Sequence, residues 1–467
     1  MERLDRILWR CTLLFVPVSA TPALPFGNGT LARPLAIIPA VLLLLLGLFR
    51  MTILGQRPRL AGRGFALLGL FTLYAAVGGL LVVSATGDEA FKGQTPVESL
   101  VRALLTWAAG LIFYLVARLQ IRTARDIGET LRFLFIGMTA SIALAGLQVV
   151  AMIQGGELLR AVQLITDLFA VHYDGLVTRA QGMTFEPSWL ATQIIVLLMP
   201  ALVAGTLSRQ NRIGMPLALG FTIAVSGMLF SGSRFGLAAM VAMLMLGGFL
   251  AALRGRLMVA GLFLAVLLGG GGGIAVLSGF GSGAGASYVT DPIAAVTGSA
   301  DLSAAADPTS AVTDALTLAG RAAAAEAAAL TWFDHPLFGV SLGNNYRYFA
   351  EYAPDWAFAT QLFQGAKEGV GWLDPNSPEK GNAKNMILRL LSETGLVGFA
   401  LFGLFFLRQI FQGKPQDSFH GYFRLMSAVA LGFSFLNQDS FVDAGLWIPL
   451  ALCFAMNQGN RESVHTV

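Results

Sequence analysis

Long apolar runs, broken by short polar intervals, recur from the N-terminus to residue 457. A helix needs about 20 apolar residues to cross the core of a bilayer. The pattern predicts twelve spans, at about 7–23, 34–53, 64–84, 101–118, 132–153, 187–207, 213–231, 235–253, 257–277, 385–410, 421–437 and 442–457. Arg3, Arg6 and Arg10, followed by a short apolar stretch ending at Val18-Ser19-Ala20, imitate a signal peptide. Pro17, Pro22 and Pro25 make a poor cleavage region and another span follows at once, so the first stretch reads as a retained helix. The last two spans are short, which implies tilt or irregular ends.

Two polar intervals are longer than the others. The chain accordingly divides into 1–277, holding spans one to nine and an external segment at 154–186; a large external loop at 278–384, partly helical; spans ten to twelve at 385–457; and a tail at 458–467. Connections as long as 278–384 usually carry function. The expected fold is an all-α integral membrane protein.

Composition strengthens this picture. Hydrophobic residues make up 55% of the 467 positions and charged residues 12%, against about 25% charged in an average soluble domain. Mean hydropathy is +0.67. A soluble globular enzyme, a disordered chain and a disulfide scaffold are excluded. Cys11 and Cys453 both lie in apolar runs and read as packing residues. The net charge of +4 reads as an orientation signal, not as a nucleic-acid surface, because Lys and Arg concentrate in cytoplasmic loops of membrane proteins. Arg57, Arg59 and Arg63 share one loop, Arg118, Arg122 and Arg125 another, and Arg209, Arg212, Arg254 and Arg256 occupy two more. Twelve spans with the N-terminus inside put all of these, and both termini, in the cytoplasm. The interval 85–100, with Asp88, Glu89 and Glu98 against Lys92, then lies outside.

The outer side carries the candidate chemistry. The glycines from Gly269 to Gly285 lack the G-x-G-x-x-G spacing and read as a helix exit; an Ala-rich helix is expected near 314–333. Asp167, His172, Tyr173 and Asp174 lie in the segment 154–186. Four arginines recur on this side: Arg179; Arg234 within Ser231-Gly232-Ser233-Arg234-Phe235-Gly236, at the turn between two spans; Arg321, at the start of the Ala-rich helix; and Arg389, one turn inside the tenth span with Lys384 just before it. The planar guanidinium suits bidentate phosphate binding, so several around one crevice would suit a lipid diphosphate. The plain alternative for each is snorkelling to headgroups or capping a helix. Carboxylates on the same side include Glu186, Glu326, Glu351, Asp355, Glu393 and Asp443. Glu186 before Pro187 also suits a helix cap, and Glu393, four residues after Arg389, also suits an intrahelical ion pair. His420 and His465 fall on the cytoplasmic side, leaving His172 and His335 outside. No zinc-type His or Cys spacing, D-x-D pair, Walker A or G-x-S-x-G occurs in the relevant loops. No metal or cofactor is expected.

Four segments, in order and on one side, resemble the O-antigen ligase and O-antigen polymerase superfamily of bacterial polysaccharide assembly. They are Arg179 with Gly182 and Glu186-Pro187-Ser188; the Gly232-Ser233-Arg234 turn; Gly320-Arg321 followed by Trp332, His335-Pro336-Leu337-Phe338-Gly339-Val340 and Gly343-Asn344; and Lys384-Asn385 followed by Glu393-Thr394-Gly395-Leu396-Val397-Gly398. The resemblance is strongest over about 178–403, and the multi-span layout extends it to the whole chain.

The resemblance implies a metal-independent glycosyltransferase of the GT-C type in the bacterial inner membrane, acting at the periplasmic face. Its donor and acceptor would be glycans on undecaprenyl diphosphate, and a chain-length regulator and a flippase of the same pathway would be its partners. Carried over by position, Arg179, Arg234 and Arg321 form a diphosphate clamp. Lys384, Asn385, Arg389, His335 and Glu393 are expected to contact substrate. The ligases place a His where this chain has Lys384, and a protonated lysine binds phosphate better than it accepts a proton. The Phe185-Glu186-Pro187-Ser188 variant is more similar to the polymerases, so polymerisation of lipid-linked repeat units is the favoured activity. Glu186 becomes the expected base, its pKa raised by the outer membrane face. Tyr346, Tyr348, Phe349, Tyr352, Trp356, Phe358 and Trp372 would either line a glycan path or pack the loop's own core. Two alternatives stand beside the polymerase: a ligase delivering finished glycan to lipid A core, and a glycolipid transporter or flippase. The transporter would need matched repeats, which the sequence lacks.

Overall fold

The computed structural model describes residues 2–22, 33–55, 63–87, 89–170, 179–280, 308–354, 380–415 and 417–456. Arg57, Arg59, Asp88, His172, Tyr173, Asp174, the stretch 281–307, Asp355, Trp356, Phe358, Trp372 and the tail lie outside these residues.

Among the described residues the regular structure is helical. In chain order the helices are α1 Glu2–Phe15, α2 Ile37–Ile53, α3 Arg63–Thr86, α4 Pro96–Gln120, α5 Ala124–Gln154, α6 Gly156–Asp167, α7 Pro187–Gln193, a π-helical turn Ile194–Leu198, α8 Met199–Ser208, α9 Leu217–Ser231, α10 Arg234–Leu253 and α11 Leu257–Phe280. After them come α12 Pro308–Asp334, a short 3-10 turn Asn345–Arg347, α13 Met386–Phe411, α14 Ser418–Asn437 and α15 Ala444–Ala455. Among the described residues, six helical stretches are long and apolar enough to cross a membrane: Gly64–Ala85, Pro96–Gln120, Ala124–Gln154, Pro187–Ser208, Arg234–Leu253 and Met386–Phe411. Ile37–Ile53, Leu217–Ser231, Leu257–Leu268 and Ala444–Ala455 are apolar but shorter. By helix length and composition, this is a multi-pass membrane protein.

Each expected span overlaps a helix, but the ends move, and Glu2–Phe15 and Ser418–Asn437, under the first and eleventh spans, belong to neither apolar group. The first stretch forms a helix of only 14 residues that starts at Glu2 and stops before Pro17. Asp5 pairs with Arg50 of α2 and Arg10 with Glu129 of α5, so α1 presents a charged face to its neighbours and not a uniform apolar surface. The expected elements did not include α6, an amphipathic helix within the segment 154–186.

Local chemistry sets the helix ends. Thr95 and Glu98 form a reciprocal capping box ahead of Pro96, and Thr123 and Asp126 form another at the start of α5. Pro200 has no N–H for the helix ladder, and the π-helical turn directly precedes its helix. The stretch 187–208 is almost wholly buried, so it is the central strut of the bundle. Glu186 stands at its tip.

The large loop docks through α12. Ala323, Ala324, Ala327 and Ala328 bury a small-residue face against Phe349 and Ala383. A second docking point is the break at Gly395, whose φ of 62° interrupts α13. There Leu396 and Val397 donate to the carbonyls of Pro336 and Leu337, and Val340 donates to the Ser392 carbonyl. A Cβ on Gly395 would sit 2.2 Å from the Leu337 oxygen, so only glycine allows this approach. The third and fourth motif segments thus meet.

Candidate functional site

Glu186 begins α7 in an extended conformation, and its carboxylate makes no cap hydrogen bond. It accepts instead from the Ser188 hydroxyl. Ser188 in turn accepts a long bond from Gln438 Nε2, at 3.4 Å. Glu186 is partly exposed. Burial alone would raise its pKa, but Lys384, the Ser188 hydroxyl, Arg321 and Arg179 together hold the carboxyl below its ordinary range. This corrects the expectation of a raised pKa. The correction has a physical cause: three cations from separate segments share this one carboxylate.

Each cation is placed by different means. Arg179 leads into a loop held by Gln148 of α5, whose Oε1 accepts from the Gln181 and Gly182 amides at 3.0 and 2.8 Å. Gln148 Nε2 returns a bond to the Gly182 carbonyl and one to Thr166. Gly182 has φ of 60°, and a Cβ there would lie 2.5 Å from the Ser141 carbonyl oxygen. The Phe185 amide is fixed by Ser19 at 2.8 Å. Arg321, midway along α12, donates to Asn437 Oδ1 at 2.6 Å. Lys384 sits in the left-handed region, with φ of 49°, and its amide donates to Asp439 Oδ2 at 3.2 Å.

The remaining candidates divide into neighbours and supports. Arg234 opens α10, with Ser233 as its cap, and is exposed. It stands two residues beyond Gly232, against which the Arg179 stem lies. Asn385 caps α13, its Oδ1 accepting from the Ile387 and Leu388 amides. Arg389 and Glu393 form a buried ion pair at 3.1 Å on one face of α13. Arg389 also donates to the Asp439 carbonyl at 2.5 Å and lies over the Phe441 ring. That arrangement is the intrahelical pair, with the added task of anchoring the connector 437–443. His335 packs on Tyr348 just past the end of α12. It lies fourteen positions beyond Arg321, about 21 Å along a helix, and so stands apart from the Glu186 cluster.

The described aromatics pack the loop. Tyr346 hydroxyl bonds Ser99, Phe349 is fully buried in the alanine cluster, and Tyr352 bonds Asp334.

Sequence reasoning missed Gln148 and the run Asn437-Gln438-Asp439 and quoted Ser188 only as part of a motif; these residues hold the loop and the cations in place. A signal existed: amides and carboxylates inside or directly between apolar runs are costly unless they are partnered. Among the described residues, no group of three or more His, Cys, Asp or Glu is arranged to hold a metal.

Taken together, the site offers several N–H donors of fixed positive charge beside one ionised carboxylate, at the end of the central strut. It can bind a polyanion and present a hydrogen-bond acceptor next to it. No family model matches this chain, and neither does any curated protein.

Proposed function

We propose that the protein is a glycosyltransferase that polymerises oligosaccharide repeat units carried on a lipid diphosphate, at the outer face of the bacterial inner membrane. In this reading the chain crosses the bilayer twelve times in a GT-C-type arrangement with both termini cytoplasmic. The observation that carries the reading is the convergence of Arg179, Arg321 and Lys384 on Glu186. Three cations act on one ionised carboxylate there, a setting suited to an anionic leaving group.

In the reaction, an acceptor hydroxyl attacks the anomeric carbon of the donor. The bond from that carbon to the diphosphate oxygen breaks, and its electron pair leaves on the diphosphate. Arginines already oriented stabilise the charge as it develops, without reorganisation. Glu186 is ionised across the neutral range, so it accepts a hydrogen bond from the acceptor hydroxyl at once and takes its proton late, as the new bond forms. Arg234, on the neighbouring turn, extends the clamp.

The test is a deletion strain complemented with wild-type protein or with Arg321→Ala, its surface glycans resolved on a gel. The expected result for the variant is loss of long chains while single repeats still reach their final carrier. Full-length chains accumulating on the lipid diphosphate would overturn the polymerase and favour a ligase. Single lipid-linked repeats retained on the cytoplasmic face would favour a flippase.

A further inference from the structure

At the opposite end of the bundle a second concentration of arginine surrounds a cleft. The cleft has a volume of about 360 Å³ and is lined by Arg10, Arg125, Glu129, Arg132, Arg212 and the backbone at Gly214 among others. Four arginines face one carboxylate there. The set comes from three separate segments: α1, the first three turns of α5, and the connector between α8 and α9.

The arginines differ in their commitments. Arg10 donates to Glu129 at 2.6 Å and its guanidinium lies 5.1 Å from the Phe133 ring centre. Arg212 is held by Asp417 at 2.5 Å. These two build the walls. Arg125 and Arg132 are exposed, and both stand on the same face of α5, seven residues apart with Glu129 between them. The Arg132 stem packs against Gly214, which directs its head to the rim. Neither guanidinium hydrogen-bonds or ion-pairs with another described residue. Counting the lining residues and Asp417, the cleft keeps two more positive than negative charges.

The cleft belongs to a membrane end, not to open solvent. Glu129 and Gln148 lie nineteen residues apart on α5, about 29 Å along its axis, which is close to the thickness of a bilayer core. Gln148 holds the loop of the candidate site, so the arginine cleft opens at the other leaflet. Basic pockets between membrane helices at that level take phospholipid head groups.

We propose that this cleft binds the phosphoryl head group of an anionic phospholipid, with Arg125 and Arg132 as its two guanidinium forks. It is a site separate from the catalytic end and rests on none of its chemistry. The bound lipid would join α1, α5 and the α8–α9 connector, adding to the Arg10–Glu129 bridge and the Trp9–Thr130 hydrogen bond that already link α1 to α5.

The test uses purified full-length protein in detergent. Its thermal unfolding is followed while phosphatidylglycerol, phosphatidylcholine or inorganic phosphate is added, for the wild type and for Arg125→Gln/Arg132→Gln. Phosphatidylglycerol should raise the wild-type midpoint. The double variant should unfold at the wild-type midpoint without lipid, because both side chains are exposed, and should bind the lipid on the order of 30-fold more weakly. Should the double variant fail to fold, Arg125→Lys/Arg132→Lys keeps the charge without the planar fork and should retain part of the response. Equal stabilisation by phosphatidylcholine, or an undiminished response in the Gln variant, would overturn the proposal. The same rise with inorganic phosphate alone would also overturn it and assign the cleft to a soluble anion.

Discussion

Two acidic side chains near the same end of the bundle keep very different company. Glu393 is 2% exposed and faces one arginine, Arg389, from the same helix face. Glu186 is partly exposed and lies within the field of Lys384, Arg321 and Arg179, each from a different segment. The first arrangement is balanced and closed. Its hydrogen bonds continue into the Asp439 carbonyl, so it ties α13 to the connector 437–443. The second is open, with three cations acting on one partly exposed carboxylate and the Asp439 carboxylate beside the Lys384 amide. A closed ion pair on one helix ties the fold together, whereas cations gathered from separate segments at a partly exposed carboxylate leave room for a ligand, as the proposed function requires. Arg389 and Glu393 are engaged with each other and with the connector although their motif places them beside the site.

Breaking the balanced pair should have the largest effect on the protein itself. Glu393→Ala leaves the Arg389 charge buried without its partner, at a cost of about 3–5 kcal/mol. Thermal unfolding of the purified variant in detergent measures this. A loss under about 1 kcal/mol, within the range of an exposed pair, would put Glu393 in the open class instead.

Breaking the open cluster should move activity instead. Arg321→Ala removes one preorganised donor, and polymer synthesis should fall by roughly 10²–10³-fold. Stability should drop by only about 1 kcal/mol, the value of one lost hydrogen bond to Asn437. A variant that unfolded as readily as Glu393→Ala while retaining its polymer yield would erase the distinction between the two regions.

The sequence carried one half of this comparison more clearly than the other. Arg179 and Lys384 were legible because each stands shortly before an apolar run, and Arg321 because it is a lone cation in an Ala-rich stretch. The twelve apolar stretches were legible as well, since hydrophobic length is a local property. What the sequence could not convey is pairing across distance. Gln148 holds the amides of Gln181 and Gly182, and Gln438 reaches Ser188 across 250 positions. Such bonds leave no periodic trace. The sign of the Glu186 shift was hidden likewise. Proximity to the membrane argues for a raised value, and only the assembled cations reverse it.

Acid should reveal that reversal. The folded-state pKa of Glu186 is depressed, so its contribution to stability is fully present above the ordinary glutamate value, about 4.3. It is lost as the pH falls through the depressed folded value. Wild-type stability should therefore decline more steeply than that of Glu186→Gln below about pH 4.3, by roughly 1 kcal/mol or less for a partly exposed cluster. Parallel unfolding curves for the two proteins across that window would show that the cations do not act on Glu186.

The smallest change sharpens the role of a single cation. Lys384 adopts a left-handed backbone, with φ of 49°, and histidine is among the side chains that tolerate this region. Lys384→His should therefore keep the fold and the amide bond to Asp439, changing only the charge. If Lys384 acts as a fixed cation, the variant should match wild type at pH 5.5 and lose up to about tenfold as the imidazole neutralises above pH 6.5. If the position instead supplies a base, activity should rise over the same interval, because a neutral imidazole accepts a proton. The slope of polymer yield against pH separates the two, and a rising slope would move Lys384 from the anion-binding group to the proton-transfer group.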